Sequence, residues 1–133
     1  MADASALVDY ILQTGRAAAV SDVVRAKGVS LVVPAVCDIE FASAIRRGLR
    51  TGEIGMGRAE EAVGDYLDLA LQRYGHTALL PKILDLRENL SAYDACYVAL
   101  AQQLNAQLLT TDRRLARAVA ADPRLRVVLA GHA

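Results

Sequence analysis

The chain has no Trp, a single Phe, two Cys and two His, and neither sign of charge is in excess: 15 basic residues stand against 15 acidic ones. Each shortage excludes something. Two Cys are too few for a disulfide scaffold or a Cys-based zinc site. Cys37 and Cys96 lie in apolar helical phrases and read as small buried hydrophobes in a reducing compartment. Two His leave no Ser/His/Asp arrangement: His76 is expected to begin a strand, His132 lies in the tail, and neither is assigned a catalytic role. A zero net charge argues against holding nucleic acid by bulk electrostatics, since such domains carry a clear basic excess. It leaves room for a local basic rim, and every basic residue except Lys27 and Lys82 is Arg. No apolar run approaches the roughly 18 residues that span a bilayer. The first residues carry Asp3 and Asp9 and no basic segment, which is not the pattern of a signal peptide. The expectation is a cytoplasmic protein with no membrane association.

What is present is Ala, Leu and Val in patterned runs. Residues 29–33 and 106–110 run apolar like short buried strands, and residues 76–80 and 125–129 are further strand candidates. Ala59, Ala62, Val63, Tyr66, Leu67, Ala70 and Tyr74 recur at helical spacing, which predicts one amphipathic helix through that span. Tyr93, Tyr97, Leu100 and Leu104 repeat the pattern, as do Phe41, Ala44, Ile45 and Leu49 ahead of a loop with Gly52, Gly55 and Gly57. Ser91 and Asp94 have capping-box spacing, Asp112 stands at an N-cap, and Asp122-Pro123 closes the helix that follows. Gly28 and Gly75 suit positions just past helix ends. Strands alternating with helices imply an α/β domain with a mainly parallel sheet, here one domain over residues 1–133.

Four acidic residues, Asp3, Glu40, Asp94 and Asp112, fall where strands hand over to helices or just inside a helix. Singly, each has an ordinary structural account. Asp112 is a cap, Asp94 belongs to a capping box, Asp3 caps a helix beginning near Ser5, and Glu40 pairs with an Arg such as Arg47. Jointly they say more. Asp3 and Asp112 each follow a strand and open a helix, which puts them at the carboxyl edge of the sheet, where open α/β sheets bind ligands. Carboxylates gathered there repel one another, and a hard divalent cation relieves that repulsion. The pattern points to a metal-dependent phosphodiesterase. Arg113, Arg114 and Arg117 begin a helix beside Asp112, the unfavourable end for cations, which suggests a substrate-facing or charge-balancing role.

In order and spacing these phrases resemble the PIN domain, and within it the VapC-type toxin ribonucleases of toxin–antitoxin pairs. Asp3-Ala-Ser-Ala-Leu is similar to that family's opening motif, and Pro34 with Glu40, Ser43, Ala44 and Arg46 to its second acidic helix. The phrase from Asn89 through Asp94 to Ala101 resembles its most specific stretch, and Leu108-Leu-Thr-Thr-Asp112 its closing motif. The resemblance implies a three-layer α/β/α fold with a mainly parallel central sheet of four to five strands. It implies endonucleolytic cleavage of RNA dependent on Mg2+ or Mn2+, with Asp3 and Asp94 as direct ligands and Glu40 and Asp112 holding a second ion or orienting water. Thr111, Arg113 and Arg114 would contact substrate, and Thr110 or Thr111 would bond a ligand carboxylate. Partners implied are RNA, a VapB-like antitoxin and a second copy of the chain. The family has several apolar residues before its first Asp; only Met1 and Ala2 stand here, so either the start is truncated or the first strand is very short. Two other readings are a non-catalytic PIN-like interaction module and a receiver-like phosphotransfer domain; Lys27 and Lys82 match neither position that the latter requires.

Overall fold

The computed structural model describes residues 1–131; His132, placed in the tail above, lies outside them. The fold is α/β. In chain order, α1 (Ala4–Ile11) and α2 (Ala17–Val24) lead to β1 (Leu31–Pro34), α3 (Cys37–Thr51), α4 (Met56–Asp68) and β2 (Leu71–Tyr74). A short 3-10 turn (Thr77–Leu79) runs into α5 (Leu80–Asp85). It is followed by α6 (Ala92–Leu104), β3 (Leu108–Thr110), α7 (Arg113–Val119) and β4 (Val127–Leu129).

The four strands form two parallel pairs, β1 with β2 and β3 with β4. What joins them is the segment Met1–Asp3, with Ala2 at its centre. Ala2 donates its N–H to Val32 O of β1 at 3.3 Å and makes a parallel bridge with Leu109 of β3. Leu109 N bonds Met1 O at 2.7 Å, and Asp3 N bonds Leu109 O at 3.0 Å. The spatial order is therefore β2, β1, the Met1–Asp3 segment, β3, β4. The segment before α1 makes a single bridge rather than a strand, and it occupies the middle. Strand order reverses across it, and the carboxyl end of such a switch is where α/β sheets open a crevice. Asp3 stands at that end.

Burial explains the packing. In α6, Ala95, Cys96, Tyr97, Val98, Ala99, Leu100 and Ala101 are all buried, so this helix is apolar all round and runs through the core. It packs on β1, β3 and the α5 segment. Its Tyr93, expected on the apolar stripe, is exposed instead. Helices α1 to α4 pack on one another, with Phe41 of α3 stacked on Tyr66 of α4 at 4.1 Å between ring centres. Gly52 caps the end of α3 at φ 77°, a left-handed conformation that a side chain would strain. Cys37 and Cys96 are free and buried, as expected.

Several expectations fail at boundaries. The helix predicted through Tyr74 stops at Asp68, and its last apolar residues become β2, because Leu71–Tyr74 pair with Leu31–Pro34. Residues 76–80 are not a strand: His76 precedes the 3-10 turn and Pro81 sits in the first turn of α5, where its missing N–H costs nothing. Gly75 consequently follows a strand rather than a helix. Helix α7 ends at Val119, before Asp122-Pro123, and Asp122 bonds Gln102 and Arg124.

Candidate active site

Asp3 is 6% exposed yet well supplied with donors. Its Oδ1 accepts from Ser5 Oγ at 2.7 Å and from Ala6 N at 3.0 Å, capping α1, and its Oδ2 accepts from Thr110 Oγ1. Thr110 in turn accepts from Asp112 N at 2.9 Å, and Ser5 Oγ from Thr111 N at 3.3 Å. The end of the central segment and the end of β3 are thus sewn together by side chains. Burial pushes the Asp3 carboxyl above its ordinary pKa; Ser5, Thr110 and the Ala6 amide pull it down, and Asp112 adds to the rise.

Glu40 comes from the first turn of α3. Its Oε1 is buried with no hydrogen-bond partner, so the pairing expected with an Arg does not satisfy it. Burial raises its pKa, and the charges of Asp94 and Asp3 raise it further. Tyr97 acts in the opposite sense from outside hydrogen-bond geometry, for its own buried hydroxyl is also without a partner. Asp38, two residues earlier, is differently placed: it takes Arg73 Nε at 2.9 and 3.0 Å and the Tyr66 hydroxyl at 2.7 Å.

Asp94 and Asp112 are caught by one cation. Arg114 Nη2 lies 2.8 Å from Asp94 Oδ2 and 3.2 Å from Asp112 Oδ2. Asp112 also caps α7 through Arg114 N and Leu115 N, as its position predicted. Ser91 caps α6 through Asp94 N, but the Asp94 carboxylate bonds Arg114, so this capping box is used on one side. Two adjoining clefts meet at Glu40. One, about 410 Å3, is also lined by Ser5, Arg47, Thr111 and Asp112; the other, about 420 Å3, by Ser43, Tyr93, Asp94 and Arg114. All four acids border this double cleft or act electrostatically on one that does.

Among the described residues no three His, Cys, Asp or Glu side chains already converge as a metal cage. The donor chemistry nonetheless fits a hard cation. Every acid at the site offers oxygen, one buried oxygen of Glu40 has no partner, and Asp94 and Asp112 already share a positive charge. Thr111 lines the cleft beside Asp112. Tyr97, in sequence a member of an apolar stripe, follows Asp94 by three residues on the same helix and is the electrostatic neighbour of Glu40. Ser5, in sequence the start of the helix that Asp3 caps, also bonds the Asp3 carboxylate; its spacing two residues past an acid at a helix start was the signal.

A PIN domain family model matches residues 1–121. VapC ribonuclease Mb0985 from Mycobacterium bovis is 40% identical over 113 residues, 85% of either chain. Ribonuclease VapC3 from Mycobacterium tuberculosis is 37% identical over 117 residues, 87% of this chain and 84% of that protein. The crystal structure of PAE2754 from Pyrobaculum aerophilum superposes with a TM-score of 0.67 at 21% identity, covering 96% of this chain and 81% of that one, a likeness of fold. Matched almost from end to end by a family model and by close relatives, the chain belongs to the PIN-domain family, on its VapC branch.

Proposed function

We propose that this protein is a divalent-metal-dependent endoribonuclease, the toxin of a pair with a VapB-like antitoxin, acting in the cytoplasm. The observation that carries the reading is that Glu40, Asp94 and Asp112 line two clefts, with Asp3 buried behind them within electrostatic reach of Glu40. The similarity to named ribonucleases supports the chemistry.

Asp3 and Asp94 would hold the ion, with Glu40 and Asp112 holding a second one or orienting water; Mg2+ and Mn2+ both suit oxygen donors. When bound, such an ion neutralises charge on the phosphate and makes a nearby water more acidic. The protein supplies the rest. Ser5 and Thr110 fix the direction of the Asp3 oxygens. Glu40, whose pKa is raised by burial, lines both clefts and would orient a water there. Thr111, Arg113 and Arg114 stand on the α7 side, where phosphate oxygens of the RNA would lie.

A groove between α3 and α4, lined by Ile45, Leu49, Met56, Ala59 and Val63, supports docking of a partner helix or a second copy. Among the described residues no helix is long and apolar enough to cross a membrane. The test is purified Asp94→Asn protein, which keeps the fold and loses Mg2+-dependent RNA cleavage; cleavage at the wild-type rate would refute the assignment. In cells, expression arrests growth, and the product of the adjacent upstream gene relieves the arrest.

A further inference from the structure

Arg114 bridges two helices through a single nitrogen. Nη2 touches Asp94 on α6 and Asp112 on the approach to α7, while the Arg114 backbone N–H is tied to Asp112 Oδ1 at 2.8 Å. The root of the residue is therefore fixed, while its side chain is 66% exposed against 17% for Asp94 and 32% for Asp112. An ion pair whose cationic end is open to water contributes little to stability, so the contact is exchangeable. Two acids are neutralised by one guanidinium, and an oxygen of each is directed at the same nitrogen.

We infer that Arg114 is an exchangeable counter-charge: it neutralises Asp94 and Asp112 in the metal-free protein, yields them to a divalent cation, and turns to a phosphate oxygen of bound RNA. This rests on the metal-dependent reading above. Like charges cannot share these oxygens cheaply, so Arg114 and a metal ion compete for them. Once displaced, the guanidinium is held at the cleft by its own backbone, and its planar fork matches phosphate. Competition of this kind is reciprocal. A phosphate that draws Arg114 away strengthens metal binding, and metal that ejects Arg114 strengthens phosphate binding.

The experiment is calorimetric titration of MnCl2 into the full chain, wild type and Arg114→Gln, with RNA cleavage kinetics measured on the same preparations. Asp94→Asn serves as the control for binding at the site, and melting curves confirm that each variant is folded. Arg114→Gln should bind Mn2+ at least about fivefold more tightly than wild type, and its KM for RNA should rise. An unchanged or weaker Mn2+ affinity in Arg114→Gln, with wild type binding normally, overturns the exchange and leaves the nuclease reading standing. Tighter Mn2+ binding with an unaltered KM overturns the phosphate half. If neither protein binds Mn2+, the metal-dependent reading itself falls, and the exchange falls with it.

Discussion

Asp3 and Glu40 are both carboxylates drawn out of water, the first within electrostatic reach of the second, and they are treated in opposite ways. Asp3 has three donors, all from residues at the meeting of α1 and β3. Glu40 has a buried oxygen with none. Both have raised pKa values with burial as the first cause, so the cost of desolvation is common to them and only the compensation differs. On the Asp3 side the protein's own donors offset part of that cost. The Glu40 side is left electrostatically incomplete, as a surface that awaits a positive charge would be.

That contrast can be broken by substitution. Asp3→Ala removes the cap of α1 and strands the hydroxyls of Ser5 and Thr110, so it should destabilise by about 2 kcal/mol in urea unfolding. Asp3→Asn keeps a capping oxygen and should stay within about 1 kcal/mol of wild type. Equal effects of the two would mean that the donors around Asp3 matter little. Glu40→Gln should do the reverse and stabilise the metal-free protein by about 1 kcal/mol while abolishing cleavage, because it deletes a poorly compensated charge. A loss of stability would show that Glu40 is better satisfied than its environment indicates.

The two acids share a pH signature. The folded chain keeps protons on Asp3 and Glu40 to higher pH than the unfolded chain does, so it is the form that binds more protons in this window. These groups therefore favour folding least once pH has climbed past their raised values. In metal-free protein, stability from them should fall as pH rises out of the ordinary carboxylate range, about 4, and through their raised values. Melting temperatures across that range check it, and the slope should shrink in Glu40→Gln. Smallest is Tyr97→Phe. The lost hydroxyl has no bonding partner, so stability should hold within about 1 kcal/mol or improve. A larger loss would reveal a bond between Tyr97 and Glu40.

What could be read in advance follows the range of the interactions. Caps act over two or three residues, so Asp112 and Ser91 announced themselves. The α4 periodicity ran on into Ala70 and Tyr74 by coincidence of spacing, and only pairing with β1, some 40 residues away in the chain, makes Leu71–Tyr74 a strand. Pro81 is a local sign that a helix begins there, which the apolar run at 76–80, taken by itself, does not show. The candidate acids were legible because each stands at a helix start, Asp3 and Asp112 as N-caps and Glu40 and Asp94 in the first turn. Their partners were not. Thr110 lies 107 residues from Asp3 and Arg114 lies 20 from Asp94, and such meetings depend on how helices are set against a sheet.

The seam centred on Ala2 has a consequence for how the molecule fails. The backbone contacts that knit the two strand pairs are also those that carry Asp3 to Thr110. Any opening that lifts the amino-terminal residues off Leu109 dismantles half of the acidic cleft, even while α6 and its surroundings stay folded. Loss of catalysis should therefore precede loss of helical signal on warming, with the first few residues as its fuse.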